Sequence, residues 1–107
     1  MLFELRQYRM RPGQRENWVK FLEEVIIPFQ VSKGMVIVGS FVGEEEGSDL
    51  QVWIRRFEDE QERERLYQAV YETDRWQNEI LPRVRELIDR EKMVITRLVP
   101  TPKSVIR

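Results

Sequence analysis

Hydrophobic and polar positions change period along this chain, and the changes mark its elements. Residues 2–10 alternate, with Phe3 and Leu5 on one side and Glu4, Arg6 and Tyr8 on the other. Successive strand side chains leave on opposite faces, so a period of two predicts a strand with one aliphatic row and one row of acid, base and phenol. Arg11-Pro12-Gly13 stops it. Trp18, Phe21, Leu22, Val25, Ile26 and Phe29 then recur at steps of three and four, the stripe of an amphipathic helix. Pro28 removes a backbone donor and is expected to kink or finish that helix. Ile27 points off the stripe, as an exposed apolar residue or a contact with a second subunit, and Gly34 supplies a stop.

Residues 35–42, rich in β-branched types, predict a strand buried on both faces. A polar loop, 44–49, leads into a third strand over 50–57. There Leu50, Val52 and Ile54 share one face, and Gln51, Trp53, Arg55 and Phe57 share the other. A helix is predicted over 59–72, with Leu66, Ala69 and Val70 as its apolar stripe and Tyr67 and Tyr71 beside it. Thr73-Asp74 reads as a break with Asp74 as cap. A further helix carries Ile80, Val84, Leu87 and Ile88, with Pro82 tolerated in its first turn. Residues 92–99 form the last strand, which Pro100 ends. Trp18 and Trp76 each begin an apolar stripe and are expected in the core. No internal repeat is visible.

The order strand, helix, strand, strand, helix, strand is the ferredoxin-like βαββαβ arrangement, an α+β fold filling residues 1–107 as a single domain. Right-handed crossovers and hairpin pairing favour an antiparallel sheet of order 4-1-3-2 with both helical segments on one face. Phe3, Leu5, Val52 and Ile54 suit the helix-covered face. That leaves Glu4, Arg6, Tyr8, Gln51, Trp53, Arg55 and Phe57 on the other, too apolar for open water and too charged for a dry core. A second copy packed on that face, leaving a lined cavity, meets both demands, so a homodimer is expected.

Composition narrows the chemistry. The chain has no cysteine and no histidine. Disulfides, thiolate zinc sites, cysteine nucleophiles, Ser-His-Asp triads and His-ligated haem are thereby excluded. Metal and cofactor sites are expected to be absent. With 18 basic and 19 acidic residues the net charge is −1, so no overall field draws the chain to nucleic acid or an anionic membrane. RNA-recognition domains share this element order, but the third strand lacks their Gly-rich basic-aromatic pattern. No signal-like or membrane-spanning apolar run is present, and a cytoplasmic setting is expected.

The opening Phe3-Glu4-Leu5-Arg6-Gln7-Tyr8-Arg9-Met10-Arg11-Pro12-Gly13 resembles the aromatic-Glu-Leu-Arg-x-Tyr and Pro-Gly of NIPSNAP domains. The likeness continues in Glu23 to Pro28, Val38-Gly39, Arg56-Phe57-Glu58-Asp59 with Arg63, Val84-Arg85, and the closing strand from Ile95 to Pro100. Thr73-Asp74-Arg75-Trp76-Gln77 is similar to the family's Asp-Pro-Glu-Trp-Gln. The resemblance implies a dimeric α/β barrel of two ferredoxin-like sheets. It also implies kinship with cofactor-independent monooxygenases, whose pockets lie between the helices and the barrel face or within it.

Glu4, Arg6, Tyr8, Trp53 and Arg55 are the candidate site. Tyr8 would act as acid or hydrogen-bond donor, Arg6 and Arg55 as anchors for a carboxylate or enolate, Glu4 as base and Trp53 as an apolar wall. The expected function is capture or cofactor-independent conversion of a small anionic or aromatic molecule. The alternative is a non-enzymatic dimeric module in which Glu4 is an ion-pair partner of Arg6 or Arg55.

Overall fold

A computed structural model describes residues 1–107. Strand β1 is Leu2–Arg9, β2 Val36–Val42, β3 Leu50–Phe57 and β4 Val94–Leu98. They form one antiparallel sheet of order β2-β3-β1-β4, the expected topology. The crossover from β1 to β2 is α1 (Arg15–Phe21), a π-helical turn over Leu22–Ile26, and α2 (Ile27–Ser32). The crossover from β3 to β4 is α3 (Glu60–Tyr71), a second π-helical turn over Arg75–Ile80, α4 (Leu81–Leu87) and a 3-10 turn over Arg90–Lys92.

The helices begin and end where local chemistry predicts, with two corrections. Asp59 caps α3, its side chain accepting from the Glu62 backbone N–H at 2.8 Å, and Gly34 takes a left-handed φ of 106° after α2. At the break after α3, however, the cap is Thr73, whose Oγ1 accepts from the Trp76 backbone N–H at 3.1 Å; Asp74 caps nothing. Pro28 does not end its helix either. Ahead of it the Ile27 N–H bonds to the Leu22 carbonyl, five residues back. The second crossover repeats the device, with the Leu81 N–H on the Trp76 carbonyl just before Pro82. The wider π turn makes room for a ring that would otherwise strike the carbonyl four residues earlier.

The sheet's two faces are the reverse of the expectation. Glu4, Arg6, Tyr8, Gln51, Trp53, Arg55 and Phe57 lie beneath the helices, and every one of them is buried. There they join a core with Trp18, Leu22, Ile26, Leu66, Val70 and Ile80. The aliphatic row is the open one except at Phe3, which is buried: Leu5 pairs with Ile54 and Gln7 with Val52, while Val94 and Leu98 continue it across β4. Strand β2 is an edge strand and not doubly buried. Its Val36, Val38 and Phe41 are exposed, and a bulge interrupts it between Ile37 and Gly39. At Gly39 the Phe41 ring lies over the backbone, where a Cβ would stand 2.8 Å from it and push the exposed ring aside. Sequence alternation separates two faces but does not say which one the helices cover. Here the helices bring Gln30, Arg63, Tyr67 and Tyr71, whose polar ends make the charged face the buried one.

Two side chains also sit differently from expectation. Ile27 is half-buried against the core and not an exposed apolar residue. Trp18 is fully buried as expected, but Trp76 is only half-buried and stacks edge-on to Tyr71, with centroids 4.8 Å apart.

Candidate functional site

The β1–β3 register sets Glu4 opposite Arg55, Arg6 opposite Trp53 and Tyr8 opposite Gln51. All five predicted site residues therefore converge, on the helix-covered face and not on the face away from it. Glu4 is wholly inaccessible. Its Oε1 accepts from Arg55 Nη2 at 2.7 Å and Nε at 3.3 Å; its Oε2 accepts from Arg63 Nε at 2.7 Å and the Tyr67 hydroxyl at 2.6 Å. Burial alone would raise its pKa. The Arg55 charge and the hydrogen bonds from Tyr67, Arg55 and Arg63 outweigh it and hold the carboxyl at about 2, against 4.5 ordinarily.

Arg55 is just as completely used. A guanidinium has five N–H donors. Besides its two bonds to Glu4, Arg55 donates from Nη1 to the Gln30 Oε1 at 2.9 Å and the Tyr71 hydroxyl at 2.6 Å, and from Nη2 to the Tyr67 hydroxyl at 2.9 Å. Its Cζ lies 5.2–5.6 Å from the ring centres of Tyr67, Trp53 and Tyr71, a cation enclosed by aromatic faces. Burial opposes its charge, and Tyr71, Tyr67 and Glu4 restore it against the nearby Arg6, so its pKa rises. Glu4 and Arg55 form a sealed pair with nothing left to offer a ligand.

Arg6 differs. Its Nε donates to the Tyr8 hydroxyl at 2.6 Å and its Nη1 reaches the Tyr67 hydroxyl at 3.3 Å. The approach of Nη1 to Glu4 is a longer 3.6 Å. Nη2 makes no hydrogen bond within the chain. Burial pushes the Tyr8 hydroxyl's pKa up, against the opposing charge of Arg6, so Tyr8 is a neutral donor at physiological pH.

Arg6, Tyr8 and Trp53 form one wall of a cavity of about 330 Å³ between the sheet and the helices. Trp18, Tyr67, Tyr71 and Trp76 supply aromatic surface to it, and Gln30 and Arg63 contribute polar edges. Three of the five predicted residues thus face open volume, and Glu4 and Arg55 stand behind them. Gln30, Arg63, Tyr67 and Tyr71 were not predicted. A signal for the last three was present: Arg63, Tyr67 and Tyr71 recur at steps of four, one polar-tipped stripe along α3. Nothing in its neighbourhood marks Gln30. No cluster of acidic, histidine or cysteine side chains could hold a metal ion, and no helix is long and apolar enough to cross a membrane.

The sequence model of the NIPSNAP family matches residues 3–103. No curated protein matches the chain. Among solved structures, a NIPSNAP family protein of unknown function from Agrobacterium tumefaciens is 26% identical, with a TM-score of 0.87, over 100% of this chain and 94% of that one. A second NIPSNAP family protein of that organism is 27% identical, with a TM-score of 0.85, over 99% and 98% of the two chains. A protein from an uncultured marine organism, described as a dimeric ferredoxin-like protein, is 13% identical, with a TM-score of 0.66, over 99% and 98%.

Proposed function

The chain belongs to the NIPSNAP family, and on that premise we propose that it is a homodimeric small-molecule-binding domain whose ligand lies between sheet and helices. The observation that carries this reading is the cavity itself. Other hollows of the surface are lined mainly by polar side chains; this one, of about 330 Å³, is lined mainly by apolar ones and opens beside a buried guanidinium. Binding pockets are concave and mostly apolar, with a few placed polar groups, and this one has aromatic walls meeting Arg6 and Tyr8.

The same geometry limits what catalysis could use. Glu4, sealed and held at about pKa 2, is unsuited to act as a base near neutrality. A cofactor-independent reaction here would rest on the Tyr8 hydroxyl and the Arg6 charge, or on a substrate that itself reacts with oxygen. The second reading, a dimeric module without a ligand, draws on the closed Glu4–Arg55 network and on the apolar open face of the sheet.

The test is a thermal-shift screen of the purified protein against a small-molecule library, with native mass spectrometry for a compound retained from expression. Binding is expected to raise the melting temperature and quench the tryptophans that line the cavity. A chain that retains nothing and responds to no compound would favour the ligand-free module.

A further inference from the structure

The polar groups that line this mainly apolar cavity are chiefly hydrogen-bond donors, beside an unbalanced positive charge. Of the charged side chains that are buried, two are cations, Arg6 and Arg55, and one is an anion, Glu4. Glu4 is committed to Arg55, Arg63 and Tyr67. Three arginines and no carboxylate line the cavity: Arg6, Arg63 and Arg90. Arg63 has an acid of its own in Glu60, 3.2 Å away, and Arg90 is exposed. Arg6 shares Glu4, 3.6 Å from its Nη1, with Arg55 and Arg63, so the cluster holds more positive than negative charge, a state proteins avoid unless something supplies the balance.

The neutral groups point the same way. Gln30 Nε2 and Trp53 Nε1 are buried without a partner, and both side chains line the cavity. The orientation of Gln30 is set by its Oε1, which accepts from Arg55 Nη1, so its amide end is a donor. With Arg6 Nη2 and the Tyr8 proton, the wall offers a set of donors and no carboxylate. Buried donors are normally satisfied. Ordered water could satisfy the neutral ones, but it could not cancel the charge of Arg6.

Resting on the binding reading above, we propose that the ligand is a small planar oxyanion: an acceptor-only head held by Arg6, Trp53 and Gln30, on a flat apolar body lying among the aromatic walls. A guanidinium is shaped to hold two oxygens in one plane. The volume, near the lower end of the roughly 300–1,000 Å³ typical of ligand sites, suits one compact molecule and not a lipid chain.

The probes are 2-naphthoate, the neutral 2-naphthamide and the cationic 2-naphthylmethylamine, with affinity read by calorimetry and contact by the Trp53 indole N–H resonance. Naphthoate is expected to bind about tenfold or more tightly than the amide, as a charge-assisted bond replaces a neutral one, and to shift the Trp53 N–H downfield. The amine is expected not to bind. Arg6→Met should lose the preference for naphthoate over the amide while melting no lower than the wild type, because it removes one of three cations crowded around a single carboxylate. Trp53→Phe should weaken naphthoate and keep that preference. Equal or tighter binding of the amide or amine overturns the oxyanion and leaves the pocket reading standing. An Arg6→Met chain that fails to fold makes Arg6 a structural partner and also overturns it. If none of the three probes binds and the library yields nothing, both readings fall.

Discussion

Glu4 meets three guanidinium groups and a phenol in a place no water reaches, and its charge is the hinge of the network. Its folded pKa of about 2 lies below the ordinary 4.5. A depressed carboxylate contributes stability in full above its unfolded pKa and loses it as pH falls towards the folded value. Stability is therefore expected to drop between about pH 4.5 and about pH 2 by something on the order of 3 kcal/mol from this group. Glu4→Gln should lack that slope. It should cost about 3–5 kcal/mol near neutrality, where it strands Arg55, and converge on the wild type at the acid end. Urea melts of both proteins across pH 2–7 measure this, and parallel curves would remove Glu4 from the centre of the network. At this scale the sequence was partly legible. Alternation put Glu4, Arg6 and Tyr8 in one row, and strand pairing added Trp53 and Arg55. The division of labour was not legible, because it depends on which donors the covering helices bring. Arg55 is consumed by Gln30, Tyr67 and Tyr71, while Arg6, two residues from Glu4 in the same row, keeps donors free.

Among the elements, the first crossover shows why periodicity reads a helix's face better than its continuity. Trp18, Leu22, Ile26 and Phe29 all reach the core, as their spacing predicts. Trp18 also donates from Nε1 to Gln51 at 3.2 Å and lies edge-on to Tyr8, with centroids 5.9 Å apart. Trp18→Ala is expected to cost about 3–5 kcal/mol in urea denaturation, as deletions of large buried side chains do; a loss near zero would place the residue outside the core. Pro28 reads as a kink or a terminus because an α-helical ladder has no room for it, and the helix instead passes it by a π turn. Strand β2 misled for a different reason. β-Branched residues on both faces usually mean burial on both, but here Val36, Val38 and Phe41 belong to a face the chain itself leaves bare.

For the whole molecule, that bare face matters most. Phe41 is 57% exposed, Val94 51% and Leu98 43%, on a sheet whose centre holds Leu5 and Ile54. Contiguous apolar surface of this kind marks an association site. A homodimer remains the expectation, but through the aliphatic face and not through the charged row. Sedimentation at micromolar concentration should give twice the chain mass. Ile54→Glu, a charge placed mid-face, should give a folded monomer by circular dichroism. A wild-type monomer would sink this assembly but leave the cavity intact, since the cavity lies on the opposite side of the sheet. Topology and strand order were legible from element order and turn chemistry. The choice of face was not, because a chain that buries its charged row beneath polar-tipped helices and leaves aliphatic side chains bare inverts the usual rule.

The β1–β4 register has one more consequence. Phe3 stands opposite Leu98, so the start of β1 and the end of β4 are neighbours in space. A short linker could join them, and the chain could be opened instead in the exposed turn at Gly47, which lies between β2 and β3. The new order would run β3, helix, β4, β1, helix, β2. That is again strand, helix, strand, strand, helix, strand, with every native pairing kept. Circular permutation is tolerated at such exposed turns when the ends lie close. This fold, rewired so, would return to its own element order with its two halves exchanged.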